Sequence, residues 1–204
     1  MISRSNAAPS AVPSALAADD PAVVAWLGYP SPGLLRAVFN HAARAGVDRL
    51  LADLVEFARL RPDGPRTALE AHSYGATLAA HALERLAARD APPGPRIDAL
   101  TTTGSAGMPR RLAADPARLG LTGTALQEGV AAGDWLARAG RLLSGRTLSP
   151  GERMPVGALP ELGLLPVTGH NTSRFVPTAT RPRHGYRDPG TLSLRNLART
   201  TTGL

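Results

Sequence analysis

Residues 67–89 read TALEAHSYGATLAAHALERLAAR, and the reading of this stretch decides the fold. Thr67 to Ala71 has the look of a short strand. Ala76 to Arg89 carries the apolar spacing of a helix. The turn between them is Ala71-His72-Ser73-Tyr74-Gly75. A serine on a sharp strand-to-helix turn, with small residues two before and two after, has the shape of a nucleophile elbow. The usual pattern has Gly at both flanks, so Ala71 is a mild departure. A serine N-cap gives the same local signature; the strand before and the helix after favour the elbow.

Working outward, Pro21 to Tyr29 is a continuous apolar run, as expected of a strand buried on both faces. Pro30 to Gly33 breaks it. Leu34, Leu35, Val38, Phe39 and Ala42 then recur at helical spacing. An interruption is expected at Ala45-Gly46, and the pattern resumes from Leu50 to Ala58. Downstream of the elbow, Ile97 to Thr103 is a third strand, ending in Gly104-Ser105-Ala106-Gly107. Leu126 to Ala132 is a weaker fourth, followed by Gly133-Asp134 and a helix from Trp135 to Leu143. Residues 144–160 read as Gly/Pro-rich loop. Leu162 to Thr168 is a last strand, ending in Gly169-His170, and Leu192 to Thr200 is a closing helix. This strand–helix rhythm predicts an α/β fold with a mainly parallel sheet. In such sheets chemistry gathers at the carboxyl ends of the strands. Ser73, Ser105, Asp134 and His170 all fall there.

Composition narrows the function classes. The 204 residues fit one domain. Residues 1–20 are small, Pro-broken and aperiodic, and read as a disordered leader ahead of a domain over 21–204. A secretory signal is the rival, but Pro9 and Pro13 spoil its apolar centre. The expected location is therefore the cytoplasm. There is no Cys, so no disulfide, thiolate metal site or cysteine nucleophile. No apolar run approaches the roughly 20 residues of a membrane span. The net charge is +7, yet all 23 basic residues are Arg and they are dispersed. With eight aromatic residues, three Phe, two Trp and three Tyr, stacking platforms are few, and no nucleic-acid partner is expected. No spacing suits a metal, and no phosphate loop or dinucleotide fingerprint is present, so no cofactor is expected.

A nucleophilic serine needs a base, and the base an orienting carboxylate. The chain order Ser, acid, His is met by Ser73, Asp134 and His170. Asp134 can also be the N-cap of the helix at Trp135, and the two roles are compatible. His184 competes with His170; His170 is favoured because it directly follows a strand-like run. Ser105 is a rival nucleophile without a convincing helix start after it. His41 and His81 fall within helical patterns, as surface or packing residues, and His72 is expected to pack beside the turn. The Tyr74 backbone N–H, at the head of a helix, is placed to receive an oxyanion.

These residues resemble a known group. AVVAWLGY (22–29), AHSYGATLA (71–79), TTTGSAGMP (101–109), AAGDWLARAG (131–140), LPVTGH (165–170) and GYRDPGTLSLRNLA (185–198) are similar to an actinobacterial α/β-hydrolase family largely of unknown function. The resemblance implies Ser73 as nucleophile, Asp134 as acid and His170 as base, and it names no substrate; a serine hydrolase of this class is expected to act on an ester or similar small acyl substrate. Enzymes of that fold carry an earlier strand whose loop supplies a second oxyanion N–H. Nothing in residues 1–20 fits it. The domain is therefore expected to lack its first strands, to be weakly active, and to self-associate through an exposed sheet edge. Losing one oxyanion donor lowers kcat by roughly 10²–10³. The competing expectation is an impaired remnant of the fold acting as a partner-binding or structural module.

Overall fold

Three consecutive threonines lie at the centre of the molecule. They belong to strand β2 (Ala99–Thr103), whose five residues are all buried. Each hydroxyl is satisfied: Thr101 Oγ1 donates to Thr200 Oγ1, Thr102 Oγ1 to the Gln127 carbonyl, and Thr103 Oγ1 to Glu70 Oε1. Burying hydroxyls is affordable only on those terms. The computed structural model describes residues 21–29, 41–88, 95–121, 123–173 and 183–203.

Four strands form one sheet in the order β1-β2-β3-β4, all pairs parallel: β1 (Ala68–His72), β2, β3 (Leu126–Gly129) and β4 (Glu152–Arg153). In register, Ala68 faces Ala99 and His72 faces Thr103. Helices cover both faces. On one side α1 (His41–Leu60) and α2 (Gly75–Ala87) pack over Ala71 and Leu100. On the other, α5 (Leu192–Thr202) reaches the sheet through Thr200, and Leu197 packs with Tyr186, Met154, Val156 and Val167. Two further helices, α3 (Arg110–Ala114) and α4 (Trp135–Ser144), follow β2 and β3. The α/β fold with a parallel sheet flanked by helices is as the sequence predicts.

Three expectations are corrected. The run Pro21–Tyr29 is not a strand. Val23 is 95% exposed, and the segment lies along α1 instead. Trp26 Nε1 donates to Asp53 Oδ2 at 2.7 Å and Arg49 Nη1 to the Gly28 carbonyl at 3.1 Å. An apolar run makes a strand only where a neighbour satisfies its backbone, and among the described residues none does. The interruption at Ala45-Gly46 is also absent, because α1 runs through it. Gly46 is instead a close-approach residue: a Cβ there would stand 2.4 Å from Leu78 Cδ1 of α2. Finally, Leu162–Thr168 is not a strand. It makes isolated bridges, Leu159 with Leu164 and Leu165 with Thr191. Pro166 has no N–H to extend a ladder, and Gly163 turns the chain at φ 64°. The place beside β3 is taken by β4, from within the expected loop 144–160. The expected leader at 1–20, the helix start at 34–40 and the break at 91–94 lie outside the described residues.

The β3–β4 junction is tight. A Cβ on Gly151 would lie 2.0 Å from the Leu126 carbonyl oxygen, whereas nothing stands within 4 Å of one on Gly157. Gly151→Ala should therefore cost about 1–3 kcal/mol, the range for overpacking. Gly157→Ala should be close to neutral. Urea midpoints of the two variants test this, and equal midpoints would refute it.

Candidate active site

Ser73 is the only non-glycine among the described residues with a left-handed backbone, φ 54°. Such a conformation costs on the order of 1–3 kcal/mol and persists only when its surroundings over-determine it. They do so here. The Ser73 N–H donates to the Thr103 carbonyl at 2.9 Å, extending the β1–β2 ladder into the turn. The Ser73 carbonyl accepts from the Ala76 and Ala106 N–H groups, both at 3.2 Å. The Tyr74 ring is buried, and its hydroxyl accepts from the Ala43 N–H at 3.0 Å, tying the turn to α1. Tyr74 is the N-cap of α2, with its backbone N–H at the positive end of the helix.

The strain turns the Ser73 side chain to the carboxyl end of the sheet. Its Oγ lies 2.8 Å from His170 Nε2. His170 Nδ1 lies 2.9 and 3.1 Å from the two carboxylate oxygens of Asp134. One continuous hydrogen-bonded chain thus links three residues drawn from the end of β1, the loop after β3 and the segment before residue 171. Asp134 is fully buried, and its carboxylate meets two parts of the chain. Its Oδ1 accepts from the Ala137 N–H at 2.9 Å as the N-cap of α4, while it also faces His170.

Two groups needed by this arrangement have no role in the sequence reading. Tyr186 is fully buried and donates its hydroxyl to Asp134 Oδ2 at 2.8 Å. The Tyr186 hydroxyl oxygen in turn accepts from the Ala131 N–H at 2.8 Å. Burial drives the Tyr186 pKa up, so it stays a donor. Burial alone would raise the Asp134 carboxyl. The bonds from His170, Ala137 and Tyr186 outweigh it and hold its pKa below the usual carboxylate value. The second group is Gly104, at φ 52°; a Cβ there would lie 2.9 Å from Asp134 Oδ2 and 3.0 Å from His72 Cε1. The available signals were the Gly185–Ala198 motif for Tyr186 and the Gly-flanked end of β2 for Gly104. The motif closes on itself: Asp188 Oδ2 accepts from the Gly185 N–H at 2.7 Å, and Thr191 caps α5.

The rivals lie elsewhere. Ser105 is buried, and its hydroxyl accepts from the Gly107 N–H at 2.9 Å. His184 is buried, and its backbone, not its ring, meets Thr168: the N–H donates to Thr168 Oγ1 and the carbonyl accepts from the Thr168 N–H. His81 is buried on α2. His72 packs beside the turn as expected, its ring 5.0 Å from that of His170 and 5.5 Å from that of Tyr186. Burial first, then the charges of His170 and Arg187, push its pKa down to about 4. No group of three or more His, Asp and Glu among the described residues could hold a metal ion. No helix among them is long and apolar enough to cross a membrane.

A family model described as alpha/beta hydrolase matches residues 3–144, well over half of the chain. The matched span includes Ser73 and Asp134 and ends before His170. No curated protein and no solved structure matches.

Glycine geometry gives a sharp contrast. Gly104→Ala should disrupt the Asp134–Tyr186–His72 cluster and cost about 2 kcal/mol or more, since both the backbone and the space oppose it. Gly75→Ala should be tolerated, because its Cβ would meet the Ala71 methyl at an ordinary 4.0 Å. Thermal melts of the two variants decide between this and a uniform need for small residues around the turn.

His72 makes a pH prediction. Unfolded it titrates near 6.5, folded near 4. Between those values the unfolded chain binds the extra proton, so this contribution to stability is intact above 6.5 and lost as pH falls towards 4. His72→Gln should flatten that part of the stability–pH curve. An unchanged slope in denaturation series across this range would assign the titration to another group.

Proposed function

The chain belongs to the alpha/beta hydrolase family, and from that premise we propose that it is a serine hydrolase acting on an ester or related small acyl substrate. The observation that carries the reading is the 2.8 Å contact between Ser73 Oγ and His170 Nε2, on the one strained non-glycine turn described. Ser73 is the nucleophile. His170 takes the hydroxyl proton at Nε2 as Oγ bonds to the acyl carbon, then delivers it to the leaving group. Water enters by the same route in reverse: its oxygen bonds to the acyl carbon as His170 takes its proton, the acyl–Oγ bond breaks, and His170 returns the proton to Oγ, restoring Ser73. Asp134 fixes the imidazole tautomer with the proton on Nδ1 and stabilises the imidazolium. The Tyr74 N–H receives the oxyanion, with the α2 dipole behind it.

Tyr186 is a positioning residue in this scheme, since it touches Asp134 and not the reacting atoms. It restrains the carboxylate through Oδ2. His72, kept neutral near pH 7 by burial, adds no competing positive charge beside His170 when the latter is protonated.

A second reading is a partner-binding module. It is favoured by one observation: among the described residues β1 has a strand partner on one side only. An open strand edge pairs readily with another chain.

Labelling with a fluorophosphonate probe separates the two, because it reports an activated serine without knowledge of the substrate. The wild-type chain and Ser105→Ala should label; Ser73→Ala should not. His170→Ala should lower the labelling rate by at least about 10², the lower end for general-base assistance, while His184→Ala should label wherever it folds. A folded wild-type chain that does not label would sink the enzyme reading and leave the module.

A further inference from the structure

Beside the C-terminal end of α4 is a cavity of ≈ 310 Å³ with four arginines in its wall: Arg110, Arg138, Arg141 and Arg146. We propose that this cavity binds a phosphate group, as the free ion or as a small phosphomonoester or diphosphate. The inference does not rest on the hydrolase reading.

The first observation is the pairing pattern. Elsewhere on the described surface several arginines meet carboxylates, Arg59 with Glu56, Arg61 with Asp63, Arg96 with Asp98, and both Arg111 and Arg118 with Glu84, while Arg49 and Arg66 meet backbone carbonyls. Arg110, Arg138 and Arg141 are also held by backbone carbonyls, and all three line one hollow. Arg110 Nε donates to the Gly145 carbonyl at 3.0 Å, Arg138 Nη2 to the Ala132 carbonyl at 2.7 Å, and Arg141 Nη1 to the Ser105 carbonyl at 2.6 Å. These carbonyls position the guanidiniums without neutralising them. Each guanidinium carries five N–H donors, and each of these contacts uses one.

The second observation is what the grouping costs. Arg138 and Arg141 are three residues apart on one helix, where like charges repel. Arg146 is buried, with its guanidinium 5.3 Å from the centre of the Tyr74 ring. Burial works against the charge of both Arg141 and Arg146. A helix C-terminus favours cations, but that accounts poorly for four converging on one hollow. An anion with several acceptor oxygens relieves the repulsion and matches the forked donors.

Size selects the class. The cavity is at the small end of ligand pockets, which run from about 300 to 1,000 Å³. The hollow is open to solvent and lined by a short stretch of chain, which suits a small anion, whereas a nucleic-acid strand needs a groove that tracks its backbone. The loop 104–107 runs between this hollow and the Asp134 cluster. Gly104 of the intervening loop abuts Asp134, and Gly107 at its other end abuts Arg141 and Arg146.

Calorimetric titration with inorganic phosphate, pyrophosphate and glycerol 3-phosphate tests the proposal at low ionic strength. One saturable site per chain is expected for at least one of the three. Arg110→Gln and Arg138→Gln, both exposed side chains whose loss should leave the fold intact, should each weaken binding about tenfold, the scale of one charge-assisted hydrogen bond. Arg59→Gln, on α1, should change nothing. Tighter binding of glycerol 3-phosphate than of the inorganic ions identifies an organic phosphate; the reverse identifies a free ion. No binding by any of the three overturns the proposal. So does equal weakening by Arg59→Gln, which marks general charge attraction, or tighter binding of a DNA oligonucleotide through the same arginines.

Discussion

The buried carboxylate of Asp134 is the interaction on which the rest of the site depends. It sits in a fully buried position and collects three donors from three parts of the chain: His170, Tyr186 and the first turn of α4. Removing a charged group from water is costly unless hydrogen bonds replace the solvent. Here they do, and each bond also fixes a segment. The bond from Ala137 sets the start of α4. The bond from Tyr186 anchors the turn that leads into α5. The bond from His170 holds an otherwise irregular segment over β1. The electrostatic requirement of one group thus organises the carboxyl end of the sheet.

The Ser73 turn is the other fixed point, and it is held by backbone. Its positive φ is maintained by β2 through Thr103 and by the 104–107 loop through Ala106. Gly104 belongs to both arrangements, since its own N–H donates to the Gly129 carbonyl at 3.0 Å while its Cα faces Asp134. The nucleophile candidate and the acid candidate are therefore positioned by the same short loop after β2, and a change there reaches both.

How much was legible follows from the range of the interactions. The elbow could be read because a strand, a tight turn and a helix are set by residues within one contiguous stretch. Asp134 could be read for the same reason: strand end, N-cap and helix start are local signals. His170, read as the base candidate, stands beside Ser73 and Asp134 although the strand expected before it does not form. Pro166 prevents a ladder, and the segment is held by scattered bonds to Val156, His184, Gly190 and Leu192. Tyr186 and Gly104 were not legible, because their importance lies in contacts across more than fifty and about thirty residues of chain. The run Pro21–Tyr29 misled for a related reason. Its hydrophobicity is real, but a strand in a parallel sheet is defined by its neighbours, and the described residues place it against α1.

A comparison within the molecule explains why Asp134, and not another buried acid, suits the partner of His170. Glu128 on β3 is also buried and receives the Ser149 N–H at 2.7 Å and Arg153 Nη1 at 2.8 Å, both on Oε2. Burial nonetheless dominates, and its pKa is raised. Asp134 has donors on both oxygens, one of them a tyrosine hydroxyl that cannot ionise near neutral pH, and its pKa is lowered. A carboxylate that orients an imidazole must remain charged when the ring gains a proton. Heavier desolvation of Glu128 and the distribution of donors over both oxygens of Asp134 together separate the two acids. They assign Glu128 to holding β4 and the 149 turn, and leave Asp134 as the anion facing the histidine.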